Sequence, residues 1–200
     1  MGANIANEVA LESFCESTLG CLNPQQSALW LRAFHRPWFR VTPVTDVRGV
    51  ELCGALKNVV ALAAGFSDGL EKGDNTKAAV MRLGLVEMMH FVEHYTGDLS
   101  MGTFLESCGV ADLITTCAGG RNHRLATQMV KTGKNLDRLE EELLGGQKLQ
   151  GPGTCKDAVQ FIKQRDLTTE FPLFMAVHAI CFEGANAESL FEFLESSKSP

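Results

Sequence analysis

A lone lysine stands in the small, apolar run Gly54-Ala55-Leu56-Lys57-Asn58-Val59-Val60-Ala61, and an amine enclosed in that way can do acid–base chemistry. At helical spacing Lys57 shares its face with Gly54, Ala61 and Ala64, so the helix is thin around it and another group can approach closely. Poor solvation among such neighbours disfavours an ammonium and suits the amine to give and take a proton. The plainer alternative is a lysine whose stem lies along a packed helix with its head in water. Asp112 and Thr116 are one helical turn apart, with Thr115 beside them, so a carboxylate and hydroxyls can face a polar ligand together. A solvated, locally capped helix face has the same pattern.

Gly119-Gly120-Arg121-Asn122 combines two glycines, which let backbone approach a ligand, with a planar guanidinium that fits phosphate oxygens. It equally fits a helix-terminating Gly-Gly followed by an exposed arginine. Gln147-Lys148-Leu149-Gln150-Gly151-Pro152 reads as a polar loop whose amides and ammonium could reach a dinucleotide, or as a solvated interhelical connection. His90-Phe91-Val92-Glu93-His94 fits the His-x-x-Glu-His pattern of inverted zinc peptidases. A zinc site needs a further ligand supplied by the fold, and a pair of surface or half-buried histidines gives the same five residues.

Positioning these groups falls to a mostly helical chain. Residues 1–46 have an α/β texture: Met1–Ala6 ends like a strand, Asn7 suits an N-cap, and Glu16–Cys21 is strand-like. Asn23-Pro24 opens a helix through His35, and Phe39–Thr45 alternates like a short strand in which Pro43 suits an edge or the end of pairing. From residue 47 the pattern is helical throughout, so a domain boundary is expected near Thr45–Arg48. The Lys57 helix is expected to end near Phe66–Gly69, and Thr76–Tyr95 to form a long helix with Met81, Leu85, Met88, Val92 and Tyr95 as its core stripe. Thr103 is a candidate cap for Phe104–Cys108, and Gly109–Cys117 a further helix. Leu125–Lys131, Leu136–Leu144, Thr154–Gln164 and Pro172–Phe182 follow as helices, separated by Gly133, Gly145-Gly146 and Gly151-Pro152-Gly153, with a terminal turn over Ala187–Glu195.

With 200 residues and a formal charge of −6, the chain can bury a sizeable core and shows no basic footprint for nucleic acid. Seven cysteines at irregular spacing, without a Cys-x-x-Cys pair, suit free thiols in a reducing compartment and give no structural zinc site. No signal peptide is visible, and no apolar run reads as long enough to span a membrane, so a cytoplasmic protein is expected.

In their order along the chain, Gly2-Ala-Asn-Ile-Ala6, Gly54-Ala-Leu-Lys57-Asn58, Gly73-Asp-Asn-Thr-Lys-Ala-Ala79, Phe104-Leu-Glu-Ser-Cys-Gly-Val-Ala-Asp-Leu-Ile-Thr-Thr-Cys117, Gly119-Gly-Arg-Asn122, Gly146-Gln-Lys-Leu-Gln-Gly-Pro152 and Phe171-Pro-Leu-Phe-Met-Ala-Val177 resemble the eukaryotic-type NAD-dependent glycerol-3-phosphate dehydrogenases. The resemblance covers nearly the whole chain apart from its C-terminal end. It implies a mainly α fold: a multi-helix substrate-binding domain over residues 47–200, similar to the C-terminal domain of 6-phosphogluconate dehydrogenase, preceded over 1–46 by a short α/β remnant of a Rossmann domain. By position it makes Lys57 the proton donor and acceptor at the substrate's C2 oxygen while hydride moves to or from the nicotinamide. Asn58, Asp112 and Thr116 would line the polyol site, and Arg121 and Asn122 would hold the substrate phosphate. Ala6, Arg121, Gln147, Lys148 and Gln150 would face NAD.

The chain departs from the family in carrying no Gly-x-Gly-x-x-Gly turn and no second active-site lysine, and in having Ala118 where an aromatic is usual. Met1 aligns with an internal methionine of the family. The resemblance therefore implies interconversion of sn-glycerol 3-phosphate and dihydroxyacetone phosphate, a homodimer, no metal, and weak NAD binding with little turnover by this chain alone. A non-catalytic dimerisation or binding module, and a zinc peptidase built on His90, Glu93 and His94, are the competing expectations.

Overall fold

The computed structural model describes residues 1–145 and 147–196; Gly146 and the tail 197–200, both part of the segments read above, lie outside the described residues. Two compact units are present: Met1–Gly54 with Met88–Thr115, and Ala55–Glu87 with Thr116–Pro200. The expected boundary near residue 46 falls at the start of a helix that belongs to both units.

In the first unit, parallel strands β1 (Cys15–Gly20) and β2 (Phe39–Val44) pair with Cys15 opposite Phe39 and Gly20 opposite Val44. Helix α2 (Pro24–Phe34) joins them, since parallel neighbours need a crossover. Its start is fixed locally: the Asn23 carbonyl oxygen accepts from Gln25 N–H at 2.9 Å and Gln26 N–H at 3.0 Å, with Pro24 following where a missing N–H costs least. Met1–Ala6 does not finish a strand. The Met1 carbonyl accepts from Thr18 N–H at 2.7 Å, but no ladder develops, and α1 (Ala6–Ala10) starts after Ile5, one turn position ahead of the Asn7 cap that the sequence suggests. Asp46 caps α3 (Val47–Gly69) through Gly49 N–H at 2.8 Å, and its other oxygen accepts from Thr103 Oγ1 at 2.7 Å. Thr103 is therefore interior to α5 (Met101–Leu105), whose cap is Ser100. A π-helical turn, Ser107–Ala111, then leads into α6 (Asp112–Gly119), and the Ser107 hydroxyl donates to Glu16 O at 2.8 Å.

Helix α3 is 23 residues long, and an 18-residue window of it has a mean hydropathy of 1.4, long and apolar enough by composition to cross a membrane. This corrects the sequence reading that no run reaches that length; 78% of the window is buried inside the protein, as in a core helix. In α4 (Asp74–Thr96) the buried face is Val80, Gly84, Glu87, Met88, Phe91 and Val92, while Met81 and Leu85 are half-buried and Tyr95 is exposed. The expected stripe is thus rotated, and it omits a carboxylate that belongs to the core.

The second unit packs α7 (Arg121–Thr132), α8 (Leu136–Leu144), α9 (Gln150–Gln164), α10 (Pro172–Phe182) and α11 (Ser189–Ser196) with the later part of α3. Phe66, Phe171, Phe174, Leu62, Ile162, Leu173 and Leu190 fill its core. At Gly65 and Gly69 a side chain would strike α7, the first against the His123 carbonyl and the second against Val130, so α7 lies directly on the α3 backbone. Gly65 O also accepts from Thr127 Oγ1 at 3.1 Å.

Glu87 ends up beneath the start of α10, where its carboxylate accepts from Leu173 N–H at 2.7 Å and Phe174 N–H at 2.9 Å. Two N–H groups that a helix start leaves without intrahelical partners are satisfied from another helix. Burial pushes the Glu87 carboxyl up to about 8, against the opposing pull of the two N–H donors. A raised folded-state value means that the folded chain holds this proton more tightly than the unfolded chain between its ordinary 4.5 and about 8. Stability should therefore fall as pH rises through that window. Urea denaturation at a series of pH values should show this decline in the native chain and a flatter profile in Glu87→Gln.

Candidate active site

Lys57 is half-buried on α3, and the next residue, Asn58, is buried. The Asn58 Oδ1 accepts from Asn122 Nδ2 at 2.9 Å, and Asn122 Oδ1 accepts from Gly151 N–H at 3.0 Å. Asn58 Nδ2 donates to Ala55 O at 3.3 Å. Each amide thus uses its NH2 as donor and its oxygen as acceptor, which fixes both orientations. These bonds tie together α3, the first turn of α7 and the first turn of α9. A Cβ on Gly151 would lie 2.6 Å from Asn122 Oδ1 and 2.9 Å from Asn58 O, so the contact requires glycine there.

Arg121 and Asn122 belong to the first turn of α7, not to a loop, because Gly120 is the N-cap. Exposed Arg121 donates from Nη1 to Gln147 Oε1 at 3.2 Å. Likewise Gln150 and Gly151 open α9, which starts earlier than the Thr154 expected from the Gly-Pro-Gly break. Lys148 is exposed and turned to carboxylates, with Nζ 2.7 Å from Glu140 Oε2 and 3.0 Å from Asp137 Oδ1; bonding first to Glu140 and then to Asp137 raises its pKa. Buried Glu140 also accepts from Leu149 N–H at 2.8 Å, so it anchors the connection from below. Thr116, half-buried on α6, is followed by Gly120, whose N–H donates to the Thr116 carbonyl at 3.0 Å. In the first unit Asp112 is buried at the start of α6, and Ala6 is exposed at the start of α1.

A cluster that the sequence gives no sign of lies one residue beyond Asn122. Asp68 Oδ2 is 2.7 Å from His123 Nε2 and 2.6 Å from Lys77 Nζ. Burial works against the Asp68 carboxylate, but Lys77 and His123 outweigh it and hold its pKa below the ordinary value. His90, Glu93 and His94 are exposed on α4, and among the described residues no three His, Cys, Asp or Glu side chains gather as a metal site.

With this geometry in place, comparison with known proteins is decisive. A family profile described as NAD-dependent glycerol-3-phosphate dehydrogenase C-terminus matches residues 46–192. The chain belongs to that family. Human cytoplasmic glycerol-3-phosphate dehydrogenase (NAD+) is 57% identical over 185 residues, covering 92% of this chain and 53% of that protein. The glycerol-3-phosphate dehydrogenase 1-like protein of Xenopus tropicalis is 55% identical over 197 residues, covering 98% of this chain and 56% of the relative. The chain therefore spans about half the length of these relatives. Among solved structures, Plasmodium falciparum glycerol-3-phosphate dehydrogenase superposes with a TM-score of 0.95 at 41% identity, over 100% of this chain and 56% of that one. The Saccharomyces cerevisiae enzyme gives 0.91 at 41% identity over 98% of this chain and 58% of that one.

In this glycerol-3-phosphate dehydrogenase C-terminal fold, three members of the buried hydrogen-bonded set each adjoin a candidate functional residue: Asn58 follows Lys57, Asn122 follows Arg121, and Gly151 follows Gln150. Removing the Asn122 amide strands two buried partners, each worth about 1–3 kcal/mol when unsatisfied. Asn122→Ala should lower unfolding free energy by about 2–4 kcal/mol in chemical denaturation and speed hydrogen exchange at the Gly151 amide.

Proposed function

We propose that this chain is the substrate-binding, lysine-bearing part of a cytoplasmic NAD-dependent glycerol-3-phosphate dehydrogenase, an oxidoreductase interconverting sn-glycerol 3-phosphate and dihydroxyacetone phosphate. The observation carrying this reading is the buried Asn58–Asn122–Gly151 set, which holds the neighbours Lys57, Arg121 and Gln150 on helix turns instead of on loose chain.

Lys57 is the acid–base residue in this reading. Its amine takes the proton from the C2 hydroxyl on oxidation and returns it to the carbonyl oxygen on reduction. Arg121 supplies the planar charged fork for the substrate phosphate, and it stands at the start of a 12-residue helix with no side-chain cap, where the N-terminal dipole also favours an anion. Asn122 contributes mainly by position, because its side-chain oxygen and amide are already engaged. Asn58, Asp112 and Thr116 are assigned to the polyol, and a homodimer is the assembly this reading expects.

The exposed donors Arg121, Gln147 and Gln150 suit the phosphates and amide of NAD, and Ala6, with its small side chain, suits close backbone approach. When bound, NAD supplies or accepts the hydride. Lys148 joins that contact by exchanging Glu140 and Asp137 for the ligand; while it is held by them, it orders the connection before α9.

Titration calorimetry with sn-glycerol 3-phosphate tests the assignment. The native chain should bind saturably, and Arg121→Ala should weaken binding by roughly tenfold or more, the equivalent of about 1.5–3 kcal/mol for hydrogen bonds to a charged group. Lys57→Met should leave binding within about threefold, since acid–base work acts mainly in the transition state. No saturable binding by the native chain, or equal binding by Arg121→Ala, overturns the reading.

A further inference from the structure

Two thiols of the first unit meet in its interior. Cys53 on α3 and Cys108 in the π-helical turn have no exposed surface, and the Cys53 thiol donates a hydrogen bond to the Cys108 sulfur. The Cys108 sulfur also lies 3.5 Å from Thr103 O, while Cys108 N–H donates to Thr18 Oγ1 at 3.0 Å. The two residues are 55 positions apart in sequence and sit on separate elements, so a covalent link would join α3 to the segment between α5 and α6. Both cysteines are free, and a bond of about 2 Å between sulfurs already in hydrogen-bond contact needs side-chain rotation and a small shift, not movement of a whole element.

The pair is also chemically unequal. Donation from Cys53, aided by Thr18 and opposed by burial, lowers the Cys108 pKa, while the same bond together with burial raises that of Cys53. One sulfur is poised as the thiolate and the other remains the protonated partner, the division of labour between an attacking and a resolving thiol. The other buried cysteines differ: burial pushes Cys117 and Cys181 up to about 12 and raises Cys155 as well. Access to Cys108 comes through a short segment: α5 has five residues, two of them the exposed Met101 and Leu105, and the π turn has five. Short elements with little buried surface open locally at low cost.

We propose that Cys53 and Cys108 form an oxidation site at which a hydroperoxide converts the thiol pair into a disulfide. The Cys108 thiolate attacks one peroxide oxygen; the O–O bond breaks, the far oxygen leaves as water or alcohol after taking a proton, and Cys108 becomes a sulfenic acid. The Cys53 sulfur, giving up its proton, then attacks the Cys108 sulfur; the S–S bond forms, the S–O bond breaks, and the hydroxyl leaves as water. Two thiols lose two electrons in all, and one hydroperoxide gains them. Cys53 precedes Lys57, and Cys108 precedes Asp112, by one helical turn, so the link would fix the backbone leading into each. The inference does not depend on the dehydrogenase assignment.

The test is treatment of the full chain with hydrogen peroxide, followed by alkylation under denaturing conditions and non-reducing peptide mapping. A Cys53–Cys108 cross-linked peptide that disappears with dithiothreitol, formed while circular dichroism still reports native helicity, is the expected result. Cys53→Ser should leave a sulfenic acid on Cys108 that dimedone captures, and Cys108→Ser should leave Cys53 reduced. Recovery of both cysteines as free thiols while the half-exposed Cys21 and Cys181 oxidise overturns the proposal. Cross-linking seen only after urea unfolding, or peroxide-driven pairing of either residue with a different cysteine, overturns it as well.

Discussion

The amide of Asn122 fixes how three helices of the second unit meet. Its NH2 is given to Asn58 on α3 and its oxygen to the Gly151 N–H in the first turn of α9, while its own backbone forms the first turn of α7. Reversing the side-chain amide would set oxygen against oxygen and N–H against N–H, so one rotational setting of α7 is favoured over its neighbours. The glycines serve the same end by removal. Gly65 and Gly69 let α7 settle onto α3, and Gly151 lets the α9 backbone reach the amide. With the helix positions set, the residues next to the contact, Lys57, Arg121 and Gln150, acquire positions without having to form the contact themselves.

The same device recurs around the fold. Helix starts in the interior are satisfied by polar side chains from distant parts of the chain: Asn122 serves α9, Glu87 serves α10, and Glu140 serves the residue just before α9. An unpaired N–H in an apolar core is costly, and a carboxylate there is costlier still unless donors surround it. Combining the two needs offsets both. The core of this unit is therefore specified by a few polar contacts as well as by its phenylalanines and leucines.

Such remote capping explains what the sequence could and could not reveal. Helix α2 was legible because Asn23 and Pro24 are its own cap and first residue, and the strands because their alternation is local. The start of α9 was not, since Leu149 offers no capping group and the cap, Asn122, lies 29 residues earlier in the chain. Glu87 could not be placed in the core from a stripe of methionines and leucines, because its partners are 86 and 87 residues away. Lys57, Arg121 and Asn122 stood out by type and by their order in a family pattern. Asp68 and His123, 55 residues apart, have no local pattern to betray them. The π turn before Asp112 was likewise hidden inside a run that reads as ordinary helix.

Lys148 has a further implication. Its ammonium is in water, whereas one of its two carboxylate partners, Glu140, is buried and already bound to a backbone N–H. The buried anion stays in place, and the lysine is the mobile half of the pair. An incoming anion therefore does not meet a vacant cation; it must win an exchange against carboxylates of the protein itself. Dissolved salt weakens the exposed side of that competition more than the buried side. The connection ahead of α9 behaves in consequence as an ion-exchange point, in which ionic strength and ligand charge together set how often Lys148 is released.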